Sequence, residues 1–457
     1  MKLSFHGADR GVTGSCHLIE VDGKRILIDC GLYQGSRELD EENAEDFGFD
    51  PRSIDVVLLT HAHLDHCGRL PLLVKRGFKG EIITTSATAE LARLVMVDAA
   101  HLQEEDARFH AKKAGKHKDR AKPPLYSILD ALNATSLFGR HAVYDHPITV
   151  TPGLKATFID AGHILGSASI YLQPKSGPSV LFSGDLGRLV NPLLVGPMLP
   201  PKSDVVVMET TYGNRDHKEY IPSIDEFYGA ITAAFQRGGN VVIPTFALER
   251  AQELLYAISK GLDANRLPPQ TQVYLDSPMA ISATEIMERN FTCLEPEIID
   301  AIRAGRDPFR FDGLHLTRER EYSQRINDIK SGAIIMAGSG MATGGRVRHH
   351  LLVNLPRRES AVVFVGYAAA GTLARRIIDG AKEVSIFGER IEVKASVHTI
   401  NGFSAHAGRS ELLSWHEQTG AARTFLVHGE EESMQDFAKA LTKTKVEMPS
   451  EGQEYKL

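Results

Sequence analysis

The chain has 457 residues, of which 42% are hydrophobic and 24% charged, and this ordinary globular composition excludes disordered, collagenous and coiled-coil proteins. Its length predicts two or three domains. The 52 lysines and arginines against 58 aspartates and glutamates give a formal net charge of −6, which excludes binding of nucleic acid or membrane by bulk positive charge. A polyanionic partner would need a local cluster of positive charge or a metal.

The cysteines stand far apart and form no CxxC pair, so neither a disulfide scaffold nor a thiolate zinc site is expected. They are Cys16, Cys30, Cys67 and Cys293. We expect free thiols in a reducing compartment. The first residues lack an apolar leader, and no run of about 18 apolar residues occurs, so we predict a cytoplasmic protein without membrane contact.

The first part of the chain is predicted to be rich in strands. Short apolar runs separated by glycine-rich turns indicate strands in residues 1–60. Ile54–Thr60 is strongly apolar, as in a strand buried on both faces, and helices are predicted at Arg69–Lys75 and from Ser86 onward. Glu104–Pro124 is charged, and we interpret it as a solvated segment, with contact to RNA as the alternative. Its later basic residues are Lys112, Lys113, Lys116, Lys118, Arg120 and Lys122.

From about Glu209 the pattern changes to strands that alternate with helices, which predicts a parallel sheet with helices on both faces. Strands are again predicted near the end, at Ile391–Val397 and Thr424–Val427, followed by a helix from about Glu431. A β-rich part, an α/β part and a β-rich return indicate one domain inserted into another.

Four side chains that can bind metal follow the apolar run at Ile54–Thr60 within six residues: His61, His63, Asp65 and His66. Positions 61 and 63 share a face of an extended chain, and a tight turn brings positions 65 and 66 to the same point. Imidazole and carboxylate without thiolate suit Zn²⁺ at a catalytic site. The alternative is a polar loop rich in histidine, but this pattern directly after a buried strand favours a metal site.

Four more candidates stand near the ends of predicted strands. They are His163 in AGHILGSAS, Asp185 in LFSGDLG, His406 in NGFSAHAGR and His428 in TFLVHGEEE. Each of them alone would be an ordinary core or surface residue. Loops that open onto one sheet edge bring distant residues together, so their common placement favours convergence on one site.

These motifs resemble, in their order, the metallo-β-lactamase fold and more narrowly its β-CASP branch. HAHLDH, IDCG with Asp29, METTYGNR, IPTFALERAQELL, AGSGMATGGRVRHHL, FVGYAAAGTLARR, NGFSAHAGR and FLVHGEEE carry the resemblance. The branch contains nucleic-acid-processing nucleases, including the endonuclease subunit of the pre-mRNA 3′-end machinery. The resemblance implies an α/β protein: an αββα metallo-β-lactamase sandwich of residues 1–208 and 386–457. Inserted at residues 209–385 would be a β-CASP domain, a parallel sheet with flanking helices.

The resemblance also implies two zinc ions per chain. The ligands would be His61, His63 and His163 for the first ion, Asp65, His66 and His428 for the second, and Asp185 for both. Asp65 also counts among the catalytic residues, and Asp29 would orient the site without touching a metal. A hydroxide between the ions would be the nucleophile, because paired cations lower the pKa of bound water and stabilise both oxygens of an in-line displacement.

Glu209 and His406 resemble the first two β-CASP motifs. By analogy, His406 is the general acid for the leaving oxygen and Glu209 orients it, since the pKa of an imidazolium lies near the working pH. The alternative for Glu209 is an exposed acid at the start of a helix. His428 stands at the third motif, where RNA-directed members of the family carry histidine, so the resemblance implies RNA as the substrate.

A glycine-rich segment, Gly338–Gly345, lies between a predicted strand and a predicted helix. Backbone N–H groups in such a segment can close on a phosphate at the positive end of a helix, although many such segments are only tight turns. The candidate substrate-binding residues are Ser339, Gly340, Met341, Thr343, Gly344, Gly345, Arg346 and Ser404.

The predicted function is that of a zinc-dependent ribonuclease acting on single-stranded RNA in RNA processing or decay, as an endonuclease, a 5′-to-3′ exonuclease or both. Three alternatives stay open. They are a DNA nuclease of the same family, a small-molecule hydrolase of thioesters or lactams on the same metal core, and an inactive RNA-binding scaffold subunit. Whether the chain forms a homodimer also stays open.

Overall fold

The structure is a computed structural model that describes residues 1–35, 37–114, 123–366, 368 and 371–457. Its strands are, in chain order, β1 (Lys2–Phe5), β2 (His17–Val21), β3 (Lys24–Ile28), β4 (Val56–Leu58), β5 (Glu81–Thr85), β6 (Phe138–Ala142), β7 (Ile148–Thr151), β8 (Leu154–Asp160), β9 (Ala168–Pro174), β10 (Val180–Phe182), β11 (Val205–Glu209), β12 (Val241–Pro244), β13 (Gln272–Leu275), β14 (Leu314–Leu316), β15 (Ala333–Ala337), β16 (Ala361–Val365), β17 (Glu383–Ile386), β18 (Glu389–Glu392), β19 (Ser396–Ile400), β20 (Arg423–Val427), β21 (Lys445–Glu447) and β22 (Glu454–Lys456). Its α-helices are α1 (Arg37–Glu42), α2 (Leu64–Cys67), α3 (Leu70–Lys75), α4 (Ser86–Ala114), α5 (Ile128–Thr135), α6 (Tyr220–Gln236), α7 (Arg250–Asp263), α8 (Pro278–Arg289), α9 (Pro296–Arg303), α10 (Arg320–Ile326), α11 (Val347–Asn354), α12 (Leu373–Ile378), α13 (Arg409–Thr419) and α14 (Glu431–Ala440). None of the helices in the described ranges is long and apolar enough to cross a membrane.

The first compact unit comprises Met1–Asn191, Val195–Asp216 and His406–Leu457. It contains two sheets, with strand orders β22-β1-β2-β3-β4-β5-β6 and β21-β20-β11-β10-β9-β8-β7. The inner faces of both sheets share one apolar core, in which the ring centres of Phe5 and Phe425 lie 5.3 Å apart. Helix α4 lies against β5 and β6, and the apolar faces of α13 and α14 pack on the outer face of the other sheet. These layers confirm the predicted αββα sandwich.

Three neighbouring strands of the second sheet run in the same direction. β10 pairs in parallel with β11, and β11 pairs in parallel with β20. All five residues of β11, VVVME, are buried, as expected for a strand covered on both faces. Because the carboxyl ends of parallel strands lie at one edge of a sheet, residues that follow these three strands start close together.

The second unit comprises Pro192–Leu194 and His217–Ala405. Its main sheet has the order β14-β13-β15-β12-β16-β19, and the neighbouring strands are parallel. Parallel strands need crossover connections, and helices supply them here. β17 and β18 form a separate antiparallel hairpin. The parallel α/β sheet predicted for the inserted domain is therefore present.

Apart from the short excursion at Pro192–Leu194, the chain passes between the two units at residues 216/217 and 405/406, whereas the sequence predicted changes at 208/209 and 385/386. The physical reason for the later second change is strand pairing. β19 pairs in parallel with β16 along its whole length, and this places it in the sheet of the second unit. The predicted strand Ile391–Val397 is divided between the end of β18 and the start of β19.

The charged segment predicted to be solvated from Glu104 onward continues α4 as far as Ala114. Glu104 pairs with Arg108 at 2.8 Å, one helical turn further on, and such i, i+4 pairs stabilise exposed helices. The side chains of Lys112 and Lys113 and the whole of Lys116, Lys118, Arg120 and Lys122 lie outside the described residues.

Candidate metal centre and catalytic site

The predicted ligands and Glu209 lie at the ends of strands, or in the loops that follow them, in the first unit. Asp185 follows β10, Glu209 is the last residue of β11, and His428 follows β20. These strands are parallel neighbours, so the three side chains arise at one edge of the sheet. His163 lies in the loop between β8 and β9, and the HAHLDH motif that starts at His61 follows β4. The predicted convergence of residues from distant parts of the chain is therefore present in the fold.

His61, His63, His163 and Asp185 form the first donor cluster. Nδ1 of His63 lies 3.2 Å from Nε2 of His61 and 3.1 Å from Nε2 of His163. Oδ2 of Asp185 lies 3.5 Å from Nε2 of His61 and 3.6 Å from Nε2 of His163. One donor atom from each of the four residues lies within 4.8 Å of the others.

Asp65, His66 and His428 form the second donor cluster. The Nε2 atoms of His66 and His428 lie 3.3 Å apart, and Oδ2 of Asp65 lies 3.5 Å from Nε2 of His428. Oδ1 of Asp185 lies 3.3 Å from Nε2 of His66 and 3.6 Å from Nδ1 of His428. Each oxygen of the Asp185 carboxylate therefore faces a different cluster.

A layer of hydrogen bonds behind the clusters orients the histidines. Oδ2 of buried Asp29 accepts from Nδ1 of His66 at 2.7 Å and from the Thr60 hydroxyl at 2.8 Å. Oγ1 of Thr60 also lies 3.0 Å from Nδ1 of His61, and Oγ1 of Thr211 lies 3.0 Å from Nδ1 of His428. A partner on Nδ1 leaves Nε2 of each ring available to a metal.

Sequence reasoning missed two of these supporting residues. Thr60 stands directly before HAHLDH, and Thr211 stands within METTYG. A hydroxyl beside a ligand histidine is a signal that could have found Thr60, because ligating histidines usually donate their second ring N–H to an oxygen. Thr211 stands 217 residues before His428 and carries no such signal.

The donor set fits divalent metal ions. Ligand atoms around a tetrahedral zinc lie about 3.3 Å apart, given metal–nitrogen distances of about 2.0–2.1 Å. The spacings in both clusters, 3.1–3.6 Å, are close to this value. Oδ1 of Asp185 is buried and accepts no hydrogen bond from any residue that the structure describes. A neutral imidazole has a single N–H, so converging ring nitrogens cannot all satisfy one another, whereas a cation accepts their lone pairs.

The protonation states of the clusters also suit a metal. Burial lowers the pKa of His61 well below its usual range and that of His63 to about 4, so both rings are neutral, the form that binds metal. Burial raises the pKa of Asp185, but the surrounding histidines hold it well below its usual range. Burial opposes protonation of His66, yet the charges of Asp185 and Asp29 raise its pKa, so a metal would have to displace that proton.

Glu209 and His406 form a carboxylate–imidazole pair in which the carboxylate is buried. Oε1 of Glu209 accepts from Nδ1 of His406 at 3.2 Å and from the Leu186 N–H at 2.7 Å, and Oε2 accepts from the Thr211 N–H at 3.2 Å. Glu209 is buried at the end of a strand, so it is not the exposed acid of a helix start. Burial lowers the pKa of His406, but the charge and hydrogen bond of Glu209 raise it to about 9.

His406 lies beside the first donor cluster. The ring centres of His406 and His163 are 4.5 Å apart. Asp185, Glu209 and His406 also bring one donor atom each within 4.8 Å of the others. His406 is partly exposed, whereas Glu209 is not. A protonated imidazole is therefore held next to the clusters with part of its ring accessible.

The predicted substrate-binding segment Gly338–Gly345 follows β15 in the second unit. Oγ of Ser339 accepts from the N–H groups of Thr343 at 3.1 Å and Gly344 at 3.4 Å, so these donors are used within the segment. The guanidinium of Arg346 is turned inward. Its Nη1 donates to Oδ1 of Asp276 at 2.7 Å and its Nη2 donates to the Arg318 carbonyl at 2.6 Å. Arg346 anchors the segment in this way, and its assignment to substrate binding stays a prediction. The other candidates in this unit are Gly340, Met341, Gly345 and Ser404.

Several known proteins are similar to this chain over almost its whole length. Ribonuclease TTHA0252 of Thermus thermophilus is 40% identical over 441 residues, 96% of each chain. An RNase J-like protein of Methanocaldococcus jannaschii is 30% identical over 97% of this chain and 96% of its own. Transcription termination factor FttA of the same organism is 30% identical over 96% of this chain and 68% of its own. A crystal structure of a protein of unknown function from Enterococcus faecalis shares the fold, with a TM-score of 0.57 and 12% identity over 99% of both chains.

Three family models match successive parts of the chain. The metallo-beta-lactamase superfamily matches residues 9–227, the Beta-Casp domain residues 251–377, and the Zn-dependent metallo-hydrolase RNA specificity domain residues 390–449. With the donor clusters on an αββα sandwich, these matches define a metal-dependent hydrolase. The chain belongs to the β-CASP family of RNA-processing nucleases within the metallo-β-lactamase superfamily.

Proposed function

We propose that this protein is a zinc-dependent ribonuclease that hydrolyses phosphodiester bonds of single-stranded RNA with two zinc ions per chain. The observation that carries the proposal is the placement of Asp185, whose two carboxylate oxygens face two separate sets of donors. A carboxylate in this position suits a pair of cations better than one. The names of the relatives, a ribonuclease and an RNase J-like protein, support RNA as the substrate class.

We assign one ion to each of the two donor clusters, because the donor atoms of each cluster lie close together. The first ion would be held by His61, His63 and His163, the second by Asp65, His66 and His428, and Asp185 would contact both. Paired divalent ions supply an activated water at neutral pH and positive charge for both oxygens of an in-line displacement. Asp29 fixes the His66 ring so that its Nε2 stays directed at the site.

His406 gives its proton to the oxygen that leaves. Its pKa of about 9 keeps the ring protonated at neutral pH. The hydrogen bond from its Nδ1 to buried Glu209 holds the ring in one orientation. A leaving oxygen protonated in this way and a water that attacks phosphorus should yield a 5′-phosphate and a 3′-hydroxyl. Mass analysis of the products checks this assignment of ends.

RNA contacts outside the metal ligands are assigned to the second unit. Ser339, Met341 and Thr343 lie in the glycine-rich segment, and Ser404 lies near the end of that unit. We assign Arg346 a supporting role there, because its guanidinium is bound to Asp276 and backbone carbonyls. His428 favours RNA over DNA by the family analogy stated above.

The location of the protein and its oligomeric state belong to the same proposal. The free thiols of all four cysteines accord with a cytoplasmic location. Sedimentation of the zinc-loaded protein would decide between monomer and homodimer. Both points are independent of the assignment of the active site.

The test is cleavage of end-labelled RNAs that carry a 5′-hydroxyl, a monophosphate or a triphosphate, each with and without a chelator. We expect cleavage that stops with chelator and returns with zinc, and metal analysis should give two zinc ions per chain. The product pattern separates endonuclease from 5′-to-3′ exonuclease action. Preference for single-stranded DNA in a competition assay, or hydrolysis of a thioester without RNA cleavage, would overturn the choice of substrate.

A further inference from the structure

An aromatic side chain stands at the tip of a hairpin in the second unit, in a backbone conformation that aromatic residues rarely adopt. β17 and β18 pair with Ile386 opposite Glu389, which leaves Phe387 and Gly388 as the loop. Their φ angles are 53° and 85°. Two-residue hairpin loops with positive φ at both positions favour Asn-Gly, and a bulky residue at the first position is strained.

The Phe387 ring is not placed there to fill a core. It is 47% exposed, although the neighbouring Ile386 is fully buried. A strained conformation that gains little burial must be kept for another reason, and such strain is concentrated at functional positions. A single exposed aromatic ring would carry no argument by itself.

Two basic side chains lie against this ring. The guanidinium carbon of Arg348 lies 4.3 Å from the centre of the Phe387 ring. The His349 ring lies 4.5 Å from it, centre to centre, at an interplanar angle of 31°. Both residues belong to the first turn of α11, which fixes their backbone positions. We call Phe387, Arg348 and His349 the aromatic platform.

The Arg348 guanidinium supplies positive charge beside the ring. Burial lowers the pKa of His349, and the charges of His350, Arg320 and Arg348 lower it further, so His349 contributes a neutral ring. An exposed ring beside one guanidinium combines an apolar surface with attraction for anions. Single-stranded nucleic acid presents both counterparts, a base that stacks on the ring and a phosphate beside it.

We propose that the aromatic platform stacks one base of single-stranded RNA and so adds a contact outside the metal-ligand residues. This proposal rests on the proposed ribonuclease function. The aromatic platform would be a subsite for RNA, and none of its three residues is a proposed metal ligand. A protein partner is less suited to it, because a single ring offers little apolar area for a stable interface.

Phe387→Asn is the informative variant. It removes the ring and at the same time places the Asn-Gly pair that this turn favours, so the hairpin should be kept. Tyr322→Asn is the matched control, since Tyr322 is 59% exposed and lies 5.6 Å from the Arg325 guanidinium carbon, but on the regular backbone of α10. Thermal unfolding of both variants shows whether the fold is retained.

Binding is measured by fluorescence anisotropy with labelled single-stranded RNA and zinc-loaded protein, in a His406→Ala background that leaves the RNA intact. Phe387→Asn should weaken binding about tenfold, the contribution of one stacked base, and Tyr322→Asn should not. RNAs with a single abasic site at successive positions should show one position that weakens binding to the parent. The same abasic RNA should bind Phe387→Asn no worse than intact RNA does.

Three results would overturn the proposed role of the aromatic platform. A flat abasic scan on the parent protein overturns the platform even if Phe387→Asn does not fold. Equal RNA affinity of the folded Phe387→Asn variant and its parent overturns it as well. A change of sedimentation coefficient caused by Phe387→Asn would assign the ring to an interface between copies instead. Failure of the wild-type protein to cleave RNA is a separate result, and it would reject the ribonuclease function rather than the platform.

Discussion

Replacement of Asp29 by asparagine should weaken binding of one metal ion while the fold stays intact. Asp29 lies behind the second donor cluster, with Oδ2 2.7 Å from Nδ1 of His66 and 2.8 Å from the Thr60 hydroxyl. Its Oδ1 accepts the Thr60 N–H at 2.8 Å. An amide keeps the size of the carboxylate, and its oxygen can still accept the Thr60 N–H. The change is therefore confined to the Oδ2 position, which faces His66 and the Thr60 hydroxyl.

The effect on His66 follows from its tautomer. With an acceptor at Nδ1, the ring carries its proton there and directs the Nε2 lone pair at the cluster. The asparagine NH₂ group would instead donate to Nδ1 and favour a proton on Nε2. That tautomer cannot bind a metal through Nε2. His66 would then have to lose the new hydrogen bond before it could act as a ligand.

The magnitude can be bounded from known supporting residues of metal sites. Removal of a hydrogen-bond partner of a ligand histidine lowers metal affinity about 10- to 100-fold. This corresponds to about 1.4–2.7 kcal/mol of binding free energy. The backbone should tolerate the change, because Asp29 has a φ of 60° and asparagine accepts this left-handed conformation better than most residues.

The assay is competition for zinc with a chromophoric chelator, together with thermal unfolding of the metal-free protein. Asp160→Asn is the control. It is the same chemical change in the same unit, but its carboxylate accepts the Gly162 N–H at 2.9 Å rather than a ligand histidine. We expect weaker binding of one zinc for Asp29→Asn only. If both variants bind two zinc ions as tightly as the wild type, the tautomer argument is wrong.

Three further changes test other parts of the protein. His406→Ala should keep its zinc and cleave RNA about 10²- to 10⁴-fold more slowly, since only a proton donor is lost; loss of zinc would make His406 a ligand instead. Glu209→Gln removes the charge that raises the pKa of His406 to about 9, so the alkaline limb of the pH–rate profile should move to lower pH, and an unmoved limb would belong to another group. Asp276→Asn removes the charge that faces Arg346 and leaves one acceptor oxygen where Arg346 and His350 now use two, so it should lower the free energy of unfolding in urea by about 3–5 kcal/mol. A loss below about 1 kcal/mol would mean that Arg346 and His350 find other acceptors.

The two donor clusters were largely predictable because the pattern that indicates them is local. HAHLDH follows an apolar strand, and a strand followed by a turn leaves few ways to direct four such side chains. Asp185 and His428 could be placed because each follows an apolar run, and parallel strands bring such positions to one edge. The division of donors between the two clusters depends on distances across the sheet, which no local pattern contains.

Other features depend on pairings that the sequence does not display. Nothing in Ser396–Ile400 itself indicates that it pairs with β16 rather than with a strand of the other unit. Arg346 was a candidate for substrate binding, and nothing near it in the sequence indicates that a fully buried acid 70 residues earlier in the chain, Asp276, binds its guanidinium. Only the hairpin register shows that Phe387 occupies a turn.

The charges of the site explain how an acidic protein can act on a polyanion. The chain has a formal net charge of −6, and four of its carboxylates, those of Asp29, Asp65, Asp185 and Glu209, lie at this site. Without metal, protonated His66 and His406 offset only part of this charge. Two divalent ions would reverse its sign and create a local attraction for phosphate. Salt screens the remaining surface charges beyond about 10 Å. The sign of the charge at the donor clusters therefore decides whether RNA is attracted, and the net charge of the chain does not.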